Sequence, residues 1–324
     1  MDADPDAAVR DVLARVFPET PAERIDPAAW GNTKHTALVR LADGREVVVQ
    51  YGEAAGLRTE AALLAAVAER TAVPVPAVVA VVDRPPGTAL VTKRVPGDSL
   101  HERIEGLATE DRRALVATLG EYLGALHATF EFAGHGAVVA DDGGLDVPAP
   151  ADDWHAWLRE YATAGLRALE GPLADLRDPI RTALDGALEK ISVEPAARLF
   201  PWDFRPGNVV VDDTPAVAAV LDWGDPLSAA PALSLAKAEY LTADWYADPE
   251  PADRLRELFL EGYERQRPLP TGYRAHRATY RLVGIVRSAV DSRGVVTRPR
   301  YPELDPDAAA AFHRRHLRAT LEAL

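Results

Sequence analysis

The apolar pattern of this 324-residue chain changes character at Pro96-Gly97, and that change limits the folds open to it. Before it, short apolar runs are bounded by turn residues. Thr36 to Gln50 reads as two strands around Asp43-Gly44, the signal for a two-residue hairpin loop. Ala77 to Val82 and Thr88 to Val95 read as a second strand pair. Between the pairs, Leu63, Leu64 and Val67 stripe a helix over residues 57–70, which Pro74 and Pro76 terminate. A further helix is expected over residues 6–17. After the dipeptide the period is helical. Leu115, Leu119, Leu123 and Leu126 share one face over residues 110–130, and residues 154–169 and 179–191 follow as helices. A strand-rich island over residues 197–222 interrupts them. The expectation is an α+β chain: a small β-rich N-terminal lobe (residues 1–96), a larger, mainly helical C-terminal lobe (residues 97–324), and a cleft between them.

Composition narrows the function classes. Fifty Asp plus Glu against 36 Lys plus Arg give a net charge of -14, which argues against nucleic acid and anionic membranes as partners. Zero cysteines exclude a disulfide framework, a thiolate metal site and a cysteine nucleophile. The acidic start MDADPDAAVR does not read as a signal peptide, and Pro74 and Pro76 break the most apolar stretch, so a soluble, cytoplasmic protein is expected. Lysine occurs only at Lys34, Lys93, Lys190 and Lys237. Few lysines among many carboxylates read as salt adaptation, since the Debye length falls to ~3 Å at molar salt; a GC-rich genome gives the same bias.

The island carries the chemistry. It runs Phe200-Pro201-Trp202-Asp203-Phe204-Arg205-Pro206-Gly207-Asn208-Val209-Val210-Val211, then Val217 to Leu221 and Asp222-Trp223-Gly224-Asp225. Two short strands as a hairpin bring Asn208 and Asp222 to one mouth, with Asp203 in the loop before it. A carboxylate that orients or deprotonates a hydroxyl, beside an Asn and an Asp offering hard oxygens to Mg²⁺, is the donor set of metal-assisted phosphoryl transfer.

These segments resemble the aminoglycoside phosphotransferase and protein-kinase-like family, whose catalytic segment reads His-Gly-Asp-x-x-x-x-Asn followed by a strand and Asp-Trp. Thr59-Glu60-Ala61-Ala62-Leu63-Leu64 resembles the family's glutamate-bearing helix, and Val73-Pro74-Val75-Pro76 its Val-Pro-Val-Pro turn. Arg94-Val95-Pro96-Gly97 resembles the segment joining the lobes, and Leu123-Gly124-Ala125-Leu126-His127 its Leu-x-x-Leu-His helix. The resemblance implies a protein-kinase-like two-lobe fold, ATP or GTP with Mg²⁺, and a small hydroxyl-bearing acceptor. It implies Asp203 as catalytic base and Asn208 and Asp222 as Mg²⁺ ligands. Glu60, Arg94, Val95 and Arg205 would lie on the nucleotide side.

Two departures matter. Pro201 replaces the family's His, and Gln50 stands where the family's Lys touches the phosphates and pairs with Glu60. An amide in place of that cation removes about 1.5–3 kcal/mol of charge-assisted bonding, roughly ten- to hundredfold in rate. A pseudokinase-like binder of nucleotide or metabolite is therefore the alternative reading. In the regular register Ala37 pairs with Gln50, His35 is the nearest group able to replace the missing charge, and Lys34 points to the opposite face unless a bulge shifts the register by one. Gln50 is then expected to donate to a phosphate oxygen. Gly31-Asn32-Thr33 is too short a match to stand for a glycine-rich phosphate loop. Ser234 is expected to cap locally, and His127 to pack within its helix. Trp154, Trp157 and Tyr161 read as core or as a substrate platform. Arg287 and Arg293 read as a solvated face or as contacts to an anionic substrate.

Overall fold

The computed structural model describes residues 5–28, 34–192 and 194–324; Gly31-Asn32-Thr33 lies outside them. Among the described residues the N-terminal lobe is an antiparallel sheet in the order β1-β2-β3-β5-β4. Its strands are β1 (Ala22–Pro27), β2 (His35–Leu41), β3 (Glu46–Gly52), β4 (Val78–Arg84) and β5 (Gly87–Lys93). Strand alternation gives it two distinct faces. Ala37, Val39, Leu41, Val47, Val49, Ala89 and Val91 form the face buried under helix α1 (Pro5–Val16) through Val9, Val12 and Leu13. The other face looks towards α2 (Ala54–Arg70), whose Leu57, Leu63, Leu64 and Val67 join the main core of the chain.

The β2–β3 turn is not the two-residue loop that Asp43-Gly44 suggested. The Leu41 N–H donates to Arg45 O at 2.8 Å, the Gly44 N–H to Leu41 O at 2.9 Å, and Gly44 takes φ +83°. That is a three-residue loop with glycine in the left-handed region, where a Cβ is unfavourable. Asp43 stabilises it by accepting from the Arg45 backbone N–H at 3.0 Å and Nε at 2.7 Å. The pairs are therefore Arg40–Glu46, Ala37–Val49 and Thr36–Gln50, one residue out from the expected register. Side chains alternate, so this slip moves Lys34 to the face that carries Gln50.

Beyond Lys93 the chain enters the C-terminal lobe. Strand β6 (Asp98–Ser99) pairs with β12 (Val209–Val211), which pairs with β13 (Val217–Val220). Between them in sequence lie α3 (Leu100–Arg103), α4 (Thr109–Thr129), β7 (Glu131–Phe132), β8 (Gly136–Ala137), β9 (Val139–Asp141), β10 (Gly144–Asp146), α5 (Trp154–Ala168), α6 (Arg177–Leu188) and β11 (Ala197–Phe200). After β13 come β14 (Leu227–Ala229), α7 (Pro231–Glu239), α8 (Pro249–Glu264), α9 (Tyr273–Val286) and α10 (Pro306–Glu322). A second sheet, β7-β11-β14-β8, underlies the catalytic island. The β9–β10 hairpin reaches back to the first lobe, where the Ala140 N–H donates to Thr59 Oγ1 at 3.0 Å. No helix among the described residues is long and apolar enough to cross a membrane.

The α4–α8 pair is the scaffold of this lobe, and two glycines set its separation. A Cβ on Gly120 would lie 1.9 Å from Phe259 O, and one on Gly262 would lie 1.9 Å from Ala117 O. Backbone cannot yield there as a flexible side chain can. Gly120→Ala should lower the urea unfolding midpoint, because over-packing of about 1–3 kcal/mol outweighs a helix-propensity gain of about 1 kcal/mol. Gly186→Ala, on an exposed stretch of α6 with nothing within 4 Å of the new Cβ, should instead hold or raise the midpoint.

Candidate active site

Asp203, Asn208 and Asp222 converge because the β12–β13 hairpin opens between them. Val209 pairs with Val220, and the Leu221 N–H donates to Asn208 O at 2.7 Å, so Asn208 and Asp222 flank the open end. A 3₁₀ turn at Pro206–Asn208 folds the Asn208 side chain back onto the loop. Its Nδ2 donates to Asp203 O at 2.9 Å and to Asp203 Oδ2 at 3.1 Å. Both donors of the amide point inward, leaving Asn208 Oδ1 as a free acceptor. Arg205 Nε also donates to Asp203 Oδ2, at 2.8 Å. Oδ2 is thus tethered twice, while Oδ1 has no hydrogen-bond partner among the described residues. The Asp203 side chain keeps 26% of its surface exposed. Burial raises its proton affinity, but Arg205, Lys237 and Asn208 outweigh that and hold its pKa below the usual carboxylate range. It stands ionised at neutral pH, with one oxygen free to meet a hydroxyl.

The N-terminal lobe contributes Glu60 from the buried side of α2. Lys34 Nζ forms a buried ion pair with Glu60 Oε2. The Trp223 backbone N–H faces the same carboxylate and favours its charged form. Burial nevertheless leaves the pKa of Glu60 raised, with Lys34 acting against the rise. Burial also raises the pKa of Asp222, opposed chiefly by Lys34. Lys34 lies so close to the Asp222 turn that a Cβ on Gly224 would meet its Nζ at 2.7 Å. Asp222 itself holds φ +56°, a left-handed conformation that aspartate tolerates better than most residues.

The family lysine is thus replaced, but not by Gln50. Lys34, just before β2, reaches Glu60 from the strand next to the expected one, opposite Gly52, where a Cβ would lie 3.7 Å from Lys34 Cγ. Gln50 shares that face, but the ion pair with Glu60 is made by Lys34. The reason is the one-residue register slip at Gly44. Two signals for Lys34 were present in the sequence: the scarcity of lysine and the bulge condition that brings it round.

Arg205 lies against the Asp203 carboxylate, with its guanidinium 5.6 Å from the Trp245 ring centre. A π-helical turn at Tyr240–Asp244 delivers that tryptophan. Arg94 does not join the group, for its Nη1 turns back to Glu46 Oε2 at 3.1 Å. Val95 is half-buried in the linker. His127 packs within its helix as expected, its Nδ1 2.9 Å from Tyr263 Oη. Ser234 does not cap: α7 has no side-chain cap, and Ser234 Oγ is buried without a partner. Lys237 and Trp202 adjoin the site although no local pattern singles them out. Lys237 Nζ donates to Trp202 O at 2.6 Å and sits 3.8 Å from the Trp202 ring centre, anchoring the residue before Asp203.

A model of the phosphotransferase enzyme family matches residues 24–278. The chain belongs to that family, and it is a phosphotransferase. Its fold is shared with a thermostable variant of the aminoglycoside phosphotransferase APH(4)-Ia, solved with AMP-PNP and hygromycin B, at 17% identity and TM-score 0.65 over 98% of each chain. It is shared with an aminoglycoside-3'-phosphotransferase of type VIII at 22% identity and TM-score 0.54, over 86% of this chain and 97% of that one. It is also shared with the macrolide 2'-phosphotransferase MphH of Brachybacterium faecium, at 20% identity and TM-score 0.59 over 97% of each chain. A comparison with curated proteins gave no match.

The buried ammonium of Lys237 has a measurable signature. Burial lowers its pKa from the ordinary 10.5 to about 7, against the pull of Asp203. Between those two values the unfolded chain binds more protons than the folded one, so stability rises with pH. The unfolding free energy of the native chain should increase from pH 7 to pH 9 relative to that of Lys237→Met. The limiting slope is about 1.4 kcal/mol per pH unit, and parallel pH profiles for the two proteins would contradict it.

Proposed function

We propose that this phosphotransferase moves the γ-phosphoryl group of ATP or GTP to a hydroxyl of a small molecule, with Mg²⁺. The observation that carries the reading is the Lys34–Glu60 ion pair meeting the Asp222–Trp223 turn beside Asp203. It joins a cation suited to nucleotide phosphates, from one lobe, to a base and metal-type oxygens from the other. The pseudokinase alternative rested on Gln50 and Pro201, and the Lys34–Glu60 pair weighs against the first of these.

Asn208 Oδ1 and the Asp222 carboxylate would hold the metal. Two protein oxygens suit Mg²⁺, which fills its remaining positions with water and phosphate oxygens. When bound, the ion neutralises charge on the phosphates. Asp203 Oδ1 accepts the proton of the acceptor hydroxyl as its oxygen bonds to the γ-phosphorus. The bond from that phosphorus to the β–γ bridging oxygen breaks, and the nucleoside diphosphate leaves with the electron pair. Lys34 balances negative charge on the nucleotide, and Glu60 fixes where the ammonium stands. The Nη atoms of Arg205, which donate to no partner among the described residues, face the transferring group.

Asp203→Asn should abolish transfer in a nucleotide-turnover assay with a panel of hydroxyl compounds, yet leave Mg·ATP affinity within a few-fold by calorimetry. The amide keeps the shape but accepts no proton. Substantial residual turnover would place the base elsewhere.

Lys34→Gln should weaken Mg·ATP binding or turnover roughly ten- to hundredfold, the magnitude of a lost charge-assisted contact. Adding Gln50→Lys to that variant should recover part of the loss, because both residues lie on one face of the sheet. Unchanged nucleotide affinity in Lys34→Gln would remove Lys34 from the phosphate site.

A further inference from the structure

On the side of Asp203 away from Asp222, the structure gathers cations in a chain whose net charge is -14. Arg287, at the end of α9, places its guanidinium carbon 4.6 Å from the Tyr161 ring centre and 4.7 Å from that of Trp202. Lys237 stands over the same Trp202 ring. Neither cation has a carboxylate within ion-pairing distance among the described residues, whereas Arg293 is paired with Asp291 at 3.0 Å. Arg287 is therefore not part of a solvated face. Its Nε is buried without a hydrogen-bond partner, and the Tyr161 hydroxyl lies beside the same guanidinium. Trp157 extends the aromatic wall, stacked on Tyr161 with ring centres 5.3 Å apart and planes 10° apart. Trp202 and Tyr161 meet edge-on at 5.6 Å.

This wall offers a guanidinium, an ammonium and aromatic faces, and Asp203, the carboxylate that follows Trp202, is already bonded to Arg205. A polyamine acceptor would bring its ammonium groups against the Arg287 guanidinium and find little to accept its protons. An oxyanion would accept from the buried Arg287 Nε and balance a guanidinium that no carboxylate pairs, and a buried donor without a partner is costly. Resting on the phosphotransferase reading of Asp203, we propose that the acceptor is a hydroxyl compound bearing an oxyanion, a carboxylate or a phosphate ester. Arg287 holds the oxyanion, and an apolar or planar portion lies along Trp202 and Tyr161. Arg287 is the specificity-determining residue for this class, and Lys237 holds Trp202 in place.

The test reads binding without turnover, using a matched series of benzoate, phenyl phosphate, benzyl alcohol and benzylamine. Each is titrated by calorimetry into the native chain saturated with Mg·AMP-PNP, which keeps the probes out of the nucleotide site. Benzoate or phenyl phosphate should bind saturably and at least tenfold tighter than benzylamine, and their order distinguishes carboxylate from phosphate ester. Arg287→Met should weaken the anion at least tenfold while Mg·AMP-PNP affinity holds. Arg287→Lys should recover part of the loss, and Arg293→Met should change nothing. Absence of saturable anion binding, a preference for benzylamine, or full anion affinity in Arg287→Met would overturn the proposal. Failure of the native chain to bind Mg·AMP-PNP would instead count against the kinase reading, and the same titrations on the nucleotide-free chain would still decide the anion site.

Discussion

The ion pair between Lys34 and Glu60 is the contact on which the rest of the site depends. Glu60 is buried, and a buried carboxylate persists in its charged form only with a partner and hydrogen bonds. Lys34 supplies the partner and the Trp223 backbone faces the same carboxylate, so Glu60 links the sheet to helix α2 beside the Asp222 turn. Removing one member of such a pair typically costs about 3–5 kcal/mol, because the other is left uncompensated. The pair fixes where the Lys34 ammonium stands relative to helix α2. It also places a cation beside Asp222, whose burial would otherwise favour its neutral form.

Around Asp203 the same logic works within one lobe. The carboxylate is held ionised by Arg205, by Asn208 and by the nearby ammonium of Lys237, which also grips the carbonyl of Trp202. The loop lacks the histidine that the family places before its aspartate, and Pro201 makes no equivalent side-chain bond. A lysine from α7 reaches the loop instead.

The two sides of Asp203 differ in chemistry. Towards Asp222 lie carboxylates and one lysine, a setting for a metal ion and phosphates. Towards α5 and α9 lie Arg287, Lys237 and the rings of Trp157, Tyr161 and Trp202. An acidic chain repels anions at long range, but the Debye length of ≈ 8 Å at physiological ionic strength confines that repulsion, so local cations govern recognition within the cleft.

Much of this was legible in the sequence. The change of period at Pro96-Gly97, the helix carrying Glu60 and the hairpin joining Asn208 to Asp222 follow from local rules of turn chemistry and alternation. The spacing of Asp203, Asn208 and Asp222 named the candidate base and metal oxygens, because a short hairpin leaves few places for residues at its open end. What sequence alone did not decide was register and long-range partnership. Asp43-Gly44 announces a turn, but whether the loop closes over two residues or three depends on Gly44 adopting positive φ and on the sheet face that α1 buries. That single residue of register decides which face Lys34 occupies. Lys237 and Arg287 lie far from Asp203 along the chain, on helices whose rotation and approach are set by packing. No local pattern marks them, and only the tertiary structure brings their charges to Trp202.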